Sequence, residues 1–295
     1  MNSILKQLVA LLNMETIEEN IFRGSSQDIG FRQLFGGQVL GQALSAASQT
    51  VDNERHAHSL HGYFLRPGDA CKPVIYQVER LRDGRNFSTR RVTAIQKGRP
   101  IFTCSASFQE YEQGFHHQPG MPDVPQPEDL IAQDDLSVLL AKDLNDEKRE
   151  KMLRIKALET RPVIVLDPLN PEISEPIKHI WFKACGPLPK SAALHKYLLA
   201  YASDFGLLTT SLLPHGASIW QPHMQVASLD HSIWFHEEVC LDDWLLYSME
   251  SPWAGNSRGF SRGNIYNRAG RLVASVAQEG LIRARDDWKD PQVSN

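Results

Sequence analysis

Three polar side chains stand where the surrounding sequence is apolar. They are Asp204 in the helical run Tyr-Leu-Leu-Ala-Tyr-Ala-Ser-Asp-Phe, Ser228 in Val226-Ala-Ser-Leu229 and Gln278 in Val276-Ala-Gln-Glu279. A carboxylate is costly to bury without hydrogen-bonding partners, so an aspartate on an apolar helix implies a purpose. The plain alternative for Asp204 is a helix-end aspartate facing solvent before Gly206, and lone polar residues in strands are usually just exposed. Together, an acid, a hydroxyl and an amide point to one polar site between a helix in the second half of the chain and its sheet.

The other constellations carry less. Gly255-Asn-Ser-Arg-Gly259 spells G-x-S-x-G, but a nucleophile elbow needs a strand immediately before the serine and a helix after it. Pro252 precedes the motif and Gly259 to Tyr266 alternates like a strand, so Ser257 reads as part of a glycine-rich strand start. His56, His58 and His61 form H-x-H-x-x-H; on a regular strand the first two share a face and the third points away. No carboxylate or cysteine is spaced to complete the three or four ligands that zinc takes, so no metal is expected. His58 stays a candidate for lining a substrate pocket. The pair His116-His117 reads as solvated or hydrogen-bonded at the edge of a connector. Gly36, Gly37 and Gly41 lack the G-x-G-x-x-G spacing of a dinucleotide site, and close backbone packing at a helix start explains them. Gly37 is kept beside His58 as a candidate substrate-binding residue.

The elements that would position these residues come in two similar sets. Phe35 to Val51 has Val39, Leu40, Ala43, Leu44 and Ala47 at helical spacing, and alternating strands follow, broken at Asp83-Gly84 and Lys97-Gly98, the punctuation of antiparallel hairpins. The order returns in Ser191 to Leu208, with Leu194, Tyr197, Leu198, Tyr201 and Phe205 on one helical face, followed by strands in which Ala269-Gly270 takes the turn position of Lys97-Gly98. At an offset of 172 residues Arg90 meets Arg262 and Gly98-Arg99 meets Gly270-Arg271, with Tyr76 and Tyr247 one residue out of step. Between the sets lie Pro119, Pro122, Pro125 and Pro127 and a charged helical stretch from Glu128 to about Thr160. The expected organisation is a first repeat over 1–118, a connector over 119–170, a second repeat over 171–287 and a tail over 288–295. The fold class is α+β, each sheet covered by its helix.

Composition excludes several functions. The 295 residues, 42% of them hydrophobic, suffice for a large core. A formal charge of -4 and a pI near 6.3 leave no positive field for nucleic acid or anionic lipid. Cys71, Cys104, Cys185 and Cys240 lie far apart without a C-x-x-C spacing, which fits reduced thiols in a cytosol, read here as buried small hydrophobes. Met1 to Met14 is amphipathic rather than a signal-peptide core, no run approaches the roughly 18 apolar residues of a membrane span, and the chain ends Val-Ser-Asn rather than in a peroxisomal signal. A cytoplasmic location is expected.

Phe35-Gly-Gly-Gln-Val-Leu-Gly-Gln-Ala43, His58-Ser-Leu-His-Gly-Tyr-Phe-Leu-Arg-Pro-Gly-Asp69, Leu229-Asp-His-Ser-Ile-Trp-Phe-His236 and Ala277-Gln-Glu-Gly280 resemble the acyl-CoA thioesterase II family, from the N-terminal helix to about Ile282. The resemblance implies a double hotdog, each half a long helix wrapped by an antiparallel sheet. It implies hydrolysis of fatty acyl-CoA to fatty acid and CoA, with no cofactor, in a homo-oligomer. It assigns catalysis to Asp204, Ser228 and Gln278, the middle place being threonine in some members; serine keeps the hydroxyl and loses the methyl that restrains χ1. Two other readings stay open: a hotdog dehydratase or hydratase using His58 and Asp69, and a non-catalytic acyl-binding module.

Overall fold

The computed structural model describes residues 3–30, 33–142, 144–154 and 156–285, so the expected tail lies outside the described residues. Helix α1 (Ser3–Leu12) buries Leu5, Leu8, Leu11 and Leu12. Then come β1 (Glu15–Glu18), β2 (Ile21–Gly24), α2 (Gly36–Ser48), β3 (His56–Phe64), β4 (Val74–Asp83), β5 (Phe87–Gln96) and β6 (Arg99–Gln109). After the connector helices α3 (Gln133–Leu140) and α4 (Asp146–Leu153), the second set runs β7 (Leu158–Pro162), β8 (Ile177–Ala184), α5 (Ala192–Ser203), a 3-10 helix (Leu208–His215), β9 (Met224–Ser228), β10 (Asp230–Phe235), β11 (Leu245–Gly255), β12 (Arg258–Asn267) and β13 (Leu272–Ala284). The expected single charged helix of the connector is thus two short helices, and β7 already belongs to the sheet.

The sheet order β1-β2-β4-β5-β6-β3-β10-β13-β12-β11-β8-β7 reads the same from either end, with β9 the only addition among the described residues. Its centre is the antiparallel junction of β3 and β10, which joins Leu60 to Ile233 and Gly62 to His231. Helices α2 and α5 pack against each other on the inner face of this sheet. A Cβ on Gly37 would overlap the Tyr201 carbonyl oxygen, and one on Gly41 would press on that of Tyr197. Two glycines one turn apart therefore let the helix backbones touch, which brings the first turn of α2 to the last turn of α5.

Strand pairing corrects the sequence register of the repeat by one residue through β4 and β5, whereas the offset of 172 holds in β6, where Arg90 pairs with Ala106 as Ser261 pairs with Gln278. Val78 pairs with Val92 and Met249 with Gly263, Tyr76 with Ala94 and Tyr247 with Ile265, an offset of 171 through β4 and β5. Arg262 is thus the counterpart of Arg91, not Arg90, and both are exposed arginines bonded to a glutamate on the neighbouring strand, Glu250 and Glu79. The counterpart of buried Arg90 is buried Ser261. The cysteines also differ from expectation, since only Cys104 is buried, while Cys71 and Cys240 are exposed.

Candidate active site

Helix α5 starts at Ser191, whose hydroxyl accepts from the Leu194 N–H, and it stops at Ser203, because Gly206 adopts φ +80° and turns the chain away. The helical spacing through Phe205 predicts a longer helix than this. Asp204 becomes the residue that ends α5, and its side chain, 6% exposed, turns back under the helix end. There the Gly37 N–H donates to its carboxylate, and a Cβ on Gly36 would lie 2.7 Å from Asp204 Oδ2. The first turn of α2, from the other half, thus forms one wall. Burial raises the Asp204 pKa above the ordinary aspartate value, and the bonds from Gln278 and Gly37 pull it back in part.

Gln278 sits on β13 where its neighbour changes: β10 ends its pairing at Ala277, and β9 begins at Gly280. This break lets a fully buried glutamine face three side chains. Gln278 Nε2 lies 2.7 Å from Asp204 Oδ1, 3.1 Å from Ser228 Oγ and 3.2 Å from His231 Nδ1, three acceptors for its two hydrogens. The carboxylate fixes which end of the amide faces it, since an oxygen there would be repelled. The other end, Gln278 Oε1, is buried with no partner among the described residues, and so is the hydroxyl of Ser261, which pairs with Gln278 across β12 and β13. Asp204 and Ser228 therefore meet at the Gln278 amide nitrogen.

His231 was not singled out from sequence, although it lies in the motif Leu229 to His236. Its signal was the alternation His231, Ile233, Phe235, all inward and buried, in which one member is polar. Ser203 Oγ donates to the Ala200 carbonyl at 2.9 Å, so it accepts from His231 Nε2 at 2.9 Å, which places the ring hydrogen on Nε2 and leaves Nδ1 as an acceptor. Burial lowers the His231 pKa to about 3, so the ring is neutral.

Ser203, His231 and Asp204 follow the order of a nucleophile, base and acid, but the geometry does not serve that chemistry. Ser203 is fully buried with its hydrogen committed, and His231 Nδ1 stands 3.8 Å from Asp204 Oδ1, beyond a hydrogen bond. Ser257 is likewise no nucleophile: with Asn256 it forms the two-residue hairpin between β11 and β12, at φ 50° and 58°.

Gly37 reaches the site through its N–H, whereas His58 does not. A bulge between Ala57 and Ser59 makes His58 an extra residue on β3, so the regular alternation expected for the three histidines fails. His58 Nε2 bonds to Ser107 Oγ at 2.9 Å and its ring meets Phe87, on the outer face where His61 meets Trp234. The pocket role expected for it at this site is therefore not seen. Asp69 is at the other end of β5, tied to the Gln96 side chain and Lys97. A dehydratase pair of His58 and Asp69 is not assembled. Among the described residues no group of three or more His, Cys, Asp or Glu is placed to hold a metal.

Profiles of two families match the chain, acyl-CoA thioesterase over residues 149–281 and acyl-CoA thioesterase N-terminal domain over residues 23–109. Acyl-CoA thioesterase 2 of Haemophilus influenzae is 45% identical over 96% of this chain and 99% of its own length. The chain belongs to the acyl-CoA thioesterase family. Human acyl-coenzyme A thioesterase 8 is 42% identical over 97% of this chain and 90% of its own. The crystal structure of acyl-CoA thioesterase II TesB2 from Mycobacterium marinum has a TM-score of 0.78 at 40% identity, covering 95% of this chain and 100% of that one. The fold is the double hotdog of this family.

In this thioesterase-family chain, a cavity of about 710 Å³ flanks the last turn of α5. Tyr201, Phe205, Phe182, Tyr247 and Met152 line it, and Lys151, Arg154 and Lys156 from α4 and the segment after it stand at its wall. Its size and mostly apolar lining suit a small organic ligand. The connector closes one side of it, through Met152 and the basic residues of α4 and the segment after it.

Proposed function

We propose that the protein hydrolyses fatty acyl-CoA to fatty acid and CoA by direct attack of a water molecule, with Asp204 as general base. The observation that carries this reading is Gln278, which bridges Asp204 and Ser228 while its own buried Oε1 has no partner among the described residues. A water bound there can donate one hydrogen to Asp204 and the other to Gln278 Oε1, and Ser228 fixes its oxygen. Asp204 takes a proton as the water oxygen bonds to the thioester carbon. The tetrahedral intermediate then collapses, the C–S bond breaks, and the CoA thiolate leaves and is protonated from Asp204 or solvent. A thiolate needs no strong acid, so neither a metal nor a nucleotide cofactor is called for. The raised pKa of Asp204 makes it a better base than an exposed aspartate, and general-base help contributes on the order of 10² to 10⁴ in rate.

The relatives named as acyl-CoA thioesterases support this substrate class. The separation of His58 from Asp69 argues against the dehydratase reading. The decisive experiment incubates the protein with a saturated acyl-CoA and, separately, with an enoyl-CoA. Release of CoA thiol from the saturated compound is expected. Hydration of the enoyl compound without thiol release, or stoichiometric binding alone, contradicts the proposal. We place the protein in the cytoplasm, where its four unpaired cysteines stay reduced. We also propose a homo-oligomer, because Tyr63 and Trp234 stand exposed on the outer face of the β3–β10 junction. Light scattering of the purified protein reads that directly, and a monomer at micromolar concentration contradicts it.

A further inference from the structure

The two halves provide an internal control for each inward position. Leu60 pairs with Ala106 across β3 and β6, and by the same register His231 stands beside Gln278 across β10 and β13. The β3–β10 junction agrees, since exchanging the halves turns the pair Leu60 and Ile233 into the pair His231 and Gly62. So the first half fills with a buried leucine and alanine the two places that the second half fills with a buried histidine and glutamine. The fold does not require a polar group at either place. Burying an imidazole where leucine packs is unfavourable unless its nitrogens are bonded, and both are: Nε2 to Ser203 Oγ and Nδ1 to the Gln278 amide.

We infer that His231 is a positioning residue, which holds the Gln278 amide with Nε2 toward Asp204 and Ser228 and Oε1 toward the attacking water. This inference rests on the water-activation reading above. The chain runs from the Ala200 carbonyl through Ser203 Oγ and the imidazole to Gln278 Nε2, and each link sets the direction of the next. Gln278 Nε2 has only two hydrogens for three acceptors, Asp204, Ser228 and His231. Engaging one of them at Nδ1 leaves the Ser228 hydroxyl the weaker claim on Gln278 and frees it for the water. An imidazolium at this place would have no lone pair for the amide and would turn it over, so the chain works only with a neutral ring. His231 touches no reacting atom.

The test compares four variants in thiol-release kinetics with saturated acyl-CoA. His231→Leu copies the packing of Leu60 and is expected to unfold at the native temperature, with KM near native and kcat lowered on the order of 10- to 100-fold, as for other outer supports of a site. The acidic limb of its kcat profile should move to higher pH, because a loosened Gln278 no longer stabilises the Asp204 carboxylate. The other titratable groups around Asp204 are Tyr201 on α5, Tyr247 on β11, Asp230 and Glu279 at the β9–β10 break, and Lys178, which bonds Thr209 at 3.0 Å; none of them is altered. His231→Asn keeps an acceptor near the Nδ1 position and is expected to recover most of kcat. His231→Gln places its amide near the Nε2 position and is expected to stay low. Equal kcat in the Asn and Gln variants overturns the inference even if the Leu variant does not fold. Asp204→Asn separates the two readings: native turnover in it removes the water-activation mechanism itself. Loss in Asp204→Asn with native kcat and an unmoved limb in His231→Leu removes only the role of His231.

Discussion

The two halves have the same strands in the same order, apart from β9, yet at one matched inward place they treat a buried polar group in opposite ways. In the first half Arg90 is buried near the end of α2, and it is satisfied: it donates to Thr50 Oγ1 at 2.8 Å, the Thr50 carbonyl at 2.9 Å, the Arg82 carbonyl at 3.0 Å and Asp83 Oδ1 at 2.7 Å. In the second half its counterpart Ser261 and the adjacent Gln278 each leave an oxygen unpartnered among the described residues, beside a carboxylate whose pKa burial has raised. The first arrangement is a plug that ties the end of α2 to the sheet. The second keeps polar capacity in reserve at the end of α5, and native proteins leave buried groups in that state where a ligand or water completes them.

This contrast breaks first at Asp204. Asp204→Asn is expected to lower kcat on the order of 10² to 10⁴-fold with KM little changed, measured by thiol release at saturating acyl-CoA. Next, Arg90→Met should do the reverse, reducing stability by about 2 kcal/mol while kcat per folded molecule stays native, read by denaturant unfolding beside the same assay. If Arg90→Met loses turnover at full folding, the Arg90 plug is not merely structural. Ser228→Ala should reduce kcat about 10-fold and Ser228→Thr should restore it, since the hydroxyl is what matters. The smallest effect is on stability. The pKa of Asp204 is raised on folding, so the native state holds its proton more tightly than the unfolded chain, and stability falls as pH rises from the unfolded toward the folded value. Above that window Asp204→Asn should unfold at or above the native temperature. A clear drop there would show that the ionised carboxylate supports the fold.

Much of this was legible in the sequence. The repeat showed because hairpin turns at Lys97-Gly98 and Ala269-Gly270 survive in both copies, and Asp204, Ser228 and Gln278 showed because each is polar in an apolar run. The register slipped by one because arginines are adjacent to the inward position in both strands, and identity matched Arg262 to the wrong neighbour of the pair Arg90-Arg91. The bulge that turns His58 outward leaves no mark in residue type. His231 stayed hidden because an inward place is defined by pairing with β3 and β13, which a single strand does not reveal. The end of α5 has a local cause: periodicity continues through Phe205, while the left-handed conformation of Gly206 stops the helix at Ser203 and leaves Asp204 as its cap.

The central claim is that water, and no side chain, forms the new bond to the acyl carbon. A single turnover with enzyme in excess, run in heavy-oxygen water and quenched in acid, tests it by mass spectrometry of both product and protein. The account predicts one heavy oxygen in the released fatty acid, none in the protein and no acylated protein. An unlabelled first-turnover acid with the label in Asp204, or an acyl adduct on any side chain, would contradict it.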